Sequence, residues 1–238
     1  MDATDFGERI NFRLSTYWER AAHTKWGTYI TGIQRQALMR ANDFAGSPTI
    51  ALDIGCEGGR WSQLLEALGW KLICADIAPG PLRLCRNRLP ASCCVLVDPA
   101  GVSIPCARGS VRLMSCIEVQ NVIGAKWFID EVLRVMERNG LLVGTFLNQW
   151  SLRGLAAHVT SSDRRQLDYY ERPYSPWRRE LTRRGFRMVY EEGCCWLPFR
   201  RQSNSGLIPV LTRVERALGL RKLARVSPWI VFIAQKLV

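Results

Sequence analysis

Leu52-Asp53-Ile54-Gly55-Cys56-Glu57-Gly58-Gly59-Arg60-Trp61-Ser62 is a short apolar run that ends in a carboxylate and breaks into a glycine-rich turn. The residues on either side decide the fold. Thr49 to Leu52 is β-prone and brief, as suits a buried parallel strand, whereas Leu64, Leu65 and Leu68 recur at helical spacing across Ser62 to Leu68. The glycines therefore occupy a strand-to-helix turn. There they permit positive φ, let a ligand approach the backbone closely, and leave the N–H groups of the helix N-terminus free. A second strand, Lys71 to Ala75, ends in Asp76, an acid placed to accept hydrogen bonds from ribose hydroxyls. Asp53, two residues before Gly55, is placed to face a cationic group. The stretch reads as a nucleotide-cofactor loop.

Further along, a helix near Pro81 to Arg88 leads to a strand, Ser92 to Val97, that ends in Asp98. Strand four is Val111 to Ile117, and a helix follows from Phe128 to Met136. Asn139-Gly140 turns the chain into strand five, Leu141 to Phe146. A helix from Arg178 to Arg184 and two strands, Arg187 to Cys195 and Pro228 to Gln235, complete the pattern. This alternation predicts an α/β fold, a doubly wound seven-stranded sheet with helices on both faces and ligands beyond the carboxyl ends of the strands. Asp53, Asp76, Asp98 and the segment after strand four all fall at that edge. The spacing of Gly55, Gly58 and Gly59 does not fit the G-x-G-x-x-G fingerprint, which argues against a nicotinamide dinucleotide.

The loop string, together with Ile73-Cys74-Ala75-Asp76-Ile77 and Val97-Asp98, resembles the class I S-adenosylmethionine-dependent methyltransferases, particularly the branch called type 11. The resemblance runs from about Thr49 to Gln149 and continues more faintly to the C-terminus. It implies a Rossmann-like fold with S-adenosylmethionine as cofactor. It places Asp53 at the methionine moiety, Asp76 at the ribose with Ile77 beside it, and Asp98 at the adenine amino group. Gly55, Cys56, Gly58 and Gly59 make the cofactor loop, and Cys116, Ile117 and Glu118 lie beside the sulfonium and the acceptor. Two positions depart from the pattern: Glu57 replaces the middle glycine, and Arg112 stands where strand four usually carries Asp. Methyl transfer needs chiefly alignment of the acceptor, with a base only where the nucleophile keeps its proton. His158, Glu118 and Tyr174 are the candidates for that base. The expected acceptor is a small or lipid-like molecule, methylated at oxygen. The alternatives are an RNA methyltransferase and a module that binds cofactor or a partner without turnover. The sequence lacks an Asn-Pro-Pro-Tyr-like element, which weighs against nucleic acid.

Residues 1–45 read as an N-terminal helical cap, with apolar spacing over Glu8 to Ala22 and Tyr29 to Met39, and residues 46–238 as the methyltransferase domain. Tyr17, Trp18, Trp26 and Tyr29 are lid aromatics on the resemblance and a packing face on spacing alone. Lid or insert segments are expected at about 151–178 and 203–226, and Ser161 to Trp177, with Tyr169, Tyr170 and Tyr174, reads as a substrate-facing loop. In the second insert Leu207, Val210, Leu211, Val214, Ala217 and Leu218 lie opposite Arg213, Glu215 and Arg216. Such an amphipathic helix packs on its own domain, docks on a membrane, or meets a second subunit, and the first is expected.

The net charge is +12, and residues 151–238 hold 17 Lys and Arg against 7 Asp and Glu. That excess favours an anionic partner, namely a phosphorylated or carboxylated substrate, an anionic membrane surface or nucleic acid, or else marks a solvated arginine-rich face. No apolar run approaches the ~20 residues that span a bilayer. No signal-peptide pattern opens the sequence, and the nine cysteines sit mostly in apolar strands, as Cys74, Cys93, Cys94 and Cys116 do. They are expected as buried thiols of a reducing cytoplasm. Cys93-Cys94 and Cys194-Cys195 lack C-x-x-C spacing, so no metal site is expected.

Overall fold

A computed structural model describes residues 15–160 and 170–238. Seven strands make one sheet: β1 (Ile50–Ile54), β2 (Lys71–Asp76), β3 (Cys93–Leu96), β4 (Val111–Cys116), β5 (Met136–Leu147), β6 (Phe186–Cys194) and β7 (Trp229–Lys236). Their order is β3-β2-β1-β4-β5-β7-β6. β7 runs antiparallel to both its neighbours, and the other pairs are parallel. The chain steps outward from β1 to β3 and then crosses back to β4, so the order reverses between β1 and β4. A crevice opens at the carboxyl ends of strands at such a point.

The helices are α1 (Tyr17–Ala22), α2 (Lys25–Ala45), α3 (Arg60–Ala67), α4 (Pro79–Arg88), α5 (Gln120–Ile123), α6 (Phe128–Val135), α7 (Leu152–Thr160), α8 (Tyr174–Arg183) and α9 (Ile208–Ala217). Trp26, Ile30, Ile33 and Leu38 of α2, Leu65 of α3 and Leu82 of α4 pack with Ala51, Leu72, Leu113 and Val143 on one face of the sheet. Phe128, Ile129, Val132 and Val135 of α6 join Tyr174, Trp177 and Leu181 of α8 on the other, over Leu52, Met114, Leu142 and Phe232. The α6 positions follow from sequence: an i, i+1, i+4, i+7 stripe turns one face inward, with Asp130 and Glu131 in the first turn and Arg134 in the last complementing the helix dipole. Central strands covered on both faces have to be apolar throughout, and Gly140 to Leu147 of β5 is buried without interruption.

Several expectations shift in register or in role. α2 reaches from Lys25 to Ala45 and covers the sheet, so of these two helices it is α1 that lies against the cofactor loop. The expected helix over Glu8 to Ala22 falls partly outside the described residues. Strand five starts at Met136, and Asn139, at φ +63°, lies inside a bulge in which Val111 pairs with Met136 and Leu113 with Leu141. In α9 the expected burial is reversed. Leu207, Val210, Val214 and Leu218 are 45–68% exposed, while Ile208 and Glu215 are buried at 2%. Glu215 shares the inward face with Ile208, its carboxylate accepting the Tyr29 hydroxyl from α2, while Arg213 and Arg216 stay exposed.

Candidate cofactor cleft

The turn after β1 is fixed by backbone demands that glycine alone meets. Gly55 lies at φ +69° and donates its N–H to the Ala75 carbonyl at 2.8 Å. A Cβ there meets Val119 Cγ2 at 2.4 Å. Gly59, the N-cap of α3, lies at φ +85°, and a Cβ there meets Cys85 Sγ at 2.9 Å. Between them Glu57 adopts φ +50°, an uncommon left-handed conformation for a residue with a side chain. Its carboxylate faces the Thr16 hydroxyl and the Trp18 N–H at the start of α1, and burial raises its pKa. Arg88 donates to the Gly58 carbonyl at 2.7 Å and pairs with Glu19, a residue of the Thr16–Glu19 capping box of α1. The departure at Glu57 thus fastens α1 to the outer side of the loop. Thr16, Glu19 and Arg88 were not found from the sequence, where nothing local ties three separate elements together.

The three edge acids have three different environments. Asp76, 9% exposed at the tip of β2, accepts Glu57 N–H on Oδ2 and Ala78 N–H on Oδ1, both at 2.8 Å. Ile77 beside it is 57% exposed, and Asp98 is exposed, holding its turn through Ala100 N–H at 2.9 Å. Asp53 is instead 2% exposed. Its oxygens accept Ser62 Oγ and Ser115 Oγ, each at 2.6 Å, so it ties β1 to α3 and β4 from beneath the loop.

Burial pushes Asp53 up to about 6 from 3.8, against the lowering pull of the two serine hydroxyls. A carboxyl raised in the native state binds more protons than in the unfolded chain, so its contribution to stability is present below about pH 4 and lost as pH rises to 6. The shift is worth about 3 kcal/mol. Asp53→Asn is expected to flatten the pH dependence of the unfolding free energy between pH 4 and 6, measured by urea denaturation. An unchanged slope contradicts the assignment.

At the tip of β4, Glu118 stands at φ +62° with its N–H donated to Thr145 Oγ1 at 2.6 Å. Its carboxylate pairs with Arg201 and accepts Gln34 Nε2 at 2.5 Å. The Arg201 guanidinium lies 5.2 Å from the Trp18 ring and 5.5 Å from the Trp229 ring, joining α1, β4 and β7. Gln34 and Arg201 carry no local sequence signal; only tertiary contact brings them to Glu118.

Other sequence candidates have structural posts. Cys116 is fully buried in the core on the α6 side of the sheet, where desolvation raises its thiol pKa, so its side chain faces away from the cleft. The Cys56 side chain also turns inward, at 4% exposure, and the loop presents only its backbone. Tyr174 is the first residue of α8 rather than part of a substrate loop. It is fully buried and donates to Glu191 at 2.7 Å, and burial carries its pKa well up. Ser161 to Tyr169 lies outside the described residues. The His158 ring is exposed, and its Nε2 lies 2.9 Å from the Tyr170 carbonyl, which can only accept. Asn148, just past β5, is fully buried and spends its amide on the Arg225 and Ser227 carbonyls and on the Tyr174 N–H. Arg112 sits at the start of β4, opposite the cleft, bound to the Ala45 carbonyl and to Glu137, so that departure does not touch the site. Cys93 is exposed rather than buried.

The cradle suits the adenosine and methionine parts of S-adenosylmethionine: glycines packed too tightly for a Cβ, and a carboxylate at the next strand tip. Residues 52–144 match the family described as methyltransferase domain. No curated protein matches the sequence. Among solved structures, a putative S-adenosylmethionine-dependent methyltransferase from Listeria monocytogenes is similar at TM-score 0.60 and 12% identity, over 86% of this chain and 97% of that one. One from Archaeoglobus fulgidus gives 0.54 and 17%, over 86% and 93%. A geranyl diphosphate C-methyltransferase from Streptomyces coelicolor A3(2) gives 0.58 and 13%, over 85% and 80%. Identities this low establish the shared fold, while the family match covers the loop and β1 through most of β5. Residues 52–144 therefore match a methyltransferase domain, and the chain shares its fold with S-adenosylmethionine-dependent methyltransferases.

Proposed function

We propose that the protein methylates an amphiphilic, lipid-like acceptor at an ionised oxygen, next to an anionic membrane surface on the cytoplasmic side. The observation that carries this reading is an open cleft of about 530 Å³ lined by Tyr17, Pro198, Phe199, Arg200, Arg201 and Gln202. Rings and a proline suit an apolar tail, and two guanidiniums suit an anionic head. Arg201 also links this cleft to Glu118 at the tip of β4. Geranyl diphosphate, the substrate named for a similar structure, has this tail-and-anion character.

When bound, the cofactor supplies an electrophilic methyl group. The backbone of Gly55, Cys56, Gly58 and Gly59 would hold the methionine part of S-adenosylmethionine, Asp76 the ribose, and Ile77 and Asp98 the adenine, with Asp53 keeping the loop in place. Glu118, Tyr174 and His158 are each engaged by a neighbour, which favours a nucleophile that has already lost its proton and needs only alignment. Exposed Val210, Val214 and Leu218 of α9 lie in the same segment as Arg213, Arg216, Arg221, Lys222 and Arg225, and Leu152, Leu155 and Val159 of α7 are also exposed. Both segments follow strand ends at the cofactor edge, and apolar rows with adjacent cations match an anionic bilayer. No helix of the described residues is long and apolar enough to cross a membrane.

Two measurements test the reading. Labelled methyl from S-adenosylmethionine is expected to enter long-chain carboxylates or phenols and not RNA, with Arg200→Glu raising KM about tenfold, the effect of one charge-assisted contact. Vesicles of phosphatidylglycerol and phosphatidylcholine are expected to retain the protein, and Val210→Asp with Val214→Asp to release it. Label in RNA alone, or equal retention by neutral vesicles, contradicts the proposal.

A further inference from the structure

We infer that Cys74, Cys85 and Cys94 form a binding site for a soft divalent metal ion such as Zn²⁺, with Cys56 as the fourth thiolate. The Sγ atoms of Cys74, Cys85 and Cys94 all lie within 4.8 Å of one another. They come from three successive elements, β2, α4 and β3, and Cys74 and Cys94 are direct cross-strand partners. Cys56, in the cofactor loop, is in hydrogen-bonding contact with Cys74 and Cys85, and its thiol also points to the Glu57 carbonyl at 3.8 Å. Three of the nine cysteines of the chain therefore meet at one point, with Cys56 against two of them.

The geometry is near that of a thiolate site. Zinc binds sulfur at about 2.3 Å in a tetrahedron, which sets sulfurs about 3.8 Å apart, so the triad has to contract by about 1 Å at most. A disulfide uses two sulfurs of the Cys74, Cys85 and Cys94 triad and leaves the third unused; a metal uses all three. Charge also fits. Thiolates at a desolvated position require compensation, and a divalent cation supplies it, with Arg86 at the outer side donating to the Cys94 carbonyl at 3.1 Å. Asp53 lies near Cys74, so the site faces a carboxylate as well and favours a cation over bare thiolates. There is also a path for entry: β3 is the edge strand, and Cys94 is half-buried while Cys74 and Cys85 are fully buried.

The site lies directly under the cofactor turn, where Cys85 Sγ leaves no room for a Cβ at Gly59. A metal there joins the loop, β2, α4 and β3, and steadies the cleft without touching the reaction. The sequence hides it because the spacings between residues 56, 74, 85 and 94 match no zinc-binding signature, and only the doubly wound crossover brings the four together.

The reduced, full-length protein titrated with Co²⁺ under argon provides the test. One equivalent is expected to bind, with intense sulfur-to-cobalt charge-transfer absorption in the near ultraviolet and tetrahedral d–d bands in the red, both lost on adding Zn²⁺. Zn²⁺ is expected to raise Tm of the parent protein. Cys94→Ser is expected to weaken metal binding at least tenfold and to change the bands, whereas Cys93→Ser, at the exposed neighbouring position, leaves them unaltered. The half-buried position of Cys94 keeps that variant usable even where Cys74→Ser fails to fold. Absence of the bands at one equivalent, or identical binding by the Cys94→Ser protein, overturns the assignment.

Discussion

An Asp76→Ala variant is expected to bind S-adenosylhomocysteine about 100-fold more weakly than the parent protein while keeping its fold. The carboxylate at the tip of β2 has two tasks. It already accepts the N–H groups of Glu57 and Ala78 at 2.8 Å, which sets the distance between the cofactor loop and the start of α4. At 9% exposure its outer face remains open to the crevice, where the ribose hydroxyls are proposed to lie. A hydrogen bond to a charged group contributes about 1.5–3 kcal/mol, so two to the ribose account for about 3 kcal/mol or more, which is about two orders of magnitude in affinity. Asp76→Asn keeps one acceptor and loses the charge, and its loss is expected to be smaller. Calorimetric titration, with circular dichroism as the check on folding, measures both. Parent-like affinity in Asp76→Ala contradicts the assignment of this acid.

The second large effect is on stability. Glu118→Ala is expected to lower the unfolding free energy by about 3 kcal/mol, because it leaves a guanidinium buried without a counter-charge. The side chains of Glu118 and Arg201 are only 14% and 15% exposed, and Nε and Nη1 of Arg201 have no hydrogen-bond partner among the described residues. The carboxylate of Glu118 is thus the charge that makes the position of Arg201 tolerable. The Trp18 and Trp229 rings beside the guanidinium add less than an ion pair does. Adding Arg201→Met to Glu118→Ala is expected to recover most of the loss, since it removes the orphaned charge and keeps the packing. Urea unfolding of the single and double variants decides the matter: equal losses in both rule out the electrostatic cause.

The parts of the molecule that were legible in the sequence are those set by local backbone rules. Gly55 and Gly59 announce a strand-to-helix turn because left-handed φ and missing space leave no alternative. Asp76 and Asp98 are readable because each ends an apolar run, and the doubly wound seven-stranded sheet follows from the regular alternation that produced those runs, whereas the antiparallel place of β7 has no local sign. Periodicity alone misjudged direction. The apolar stripe of α9 is expected to face inward, yet Ile208 and Glu215 lie inside, where Glu215 accepts the hydroxyl of Tyr29, 186 residues away, and Val210 and Val214 face solvent. The resemblance places Cys116 at the site and a tyrosine-rich segment places Tyr174 there, yet the alternation of β4 and the first turn of α8 carry both side chains into the core. The latch of Glu57, Glu19 and Arg88 and the pair of Glu118 with Arg201 depend on contacts between distant segments, for which a single sequence has no local sign. The same holds for the cysteine cluster, whose members lie in four separate elements.

Calorimetric titration of the purified protein with S-adenosylmethionine and S-adenosylhomocysteine, with NAD as control, tests the cofactor assignment most directly. Micromolar binding of the first two at one site per chain, with no heat from NAD, is the expected result. Absence of binding by either sulfur compound, or binding of NAD in their place, contradicts it.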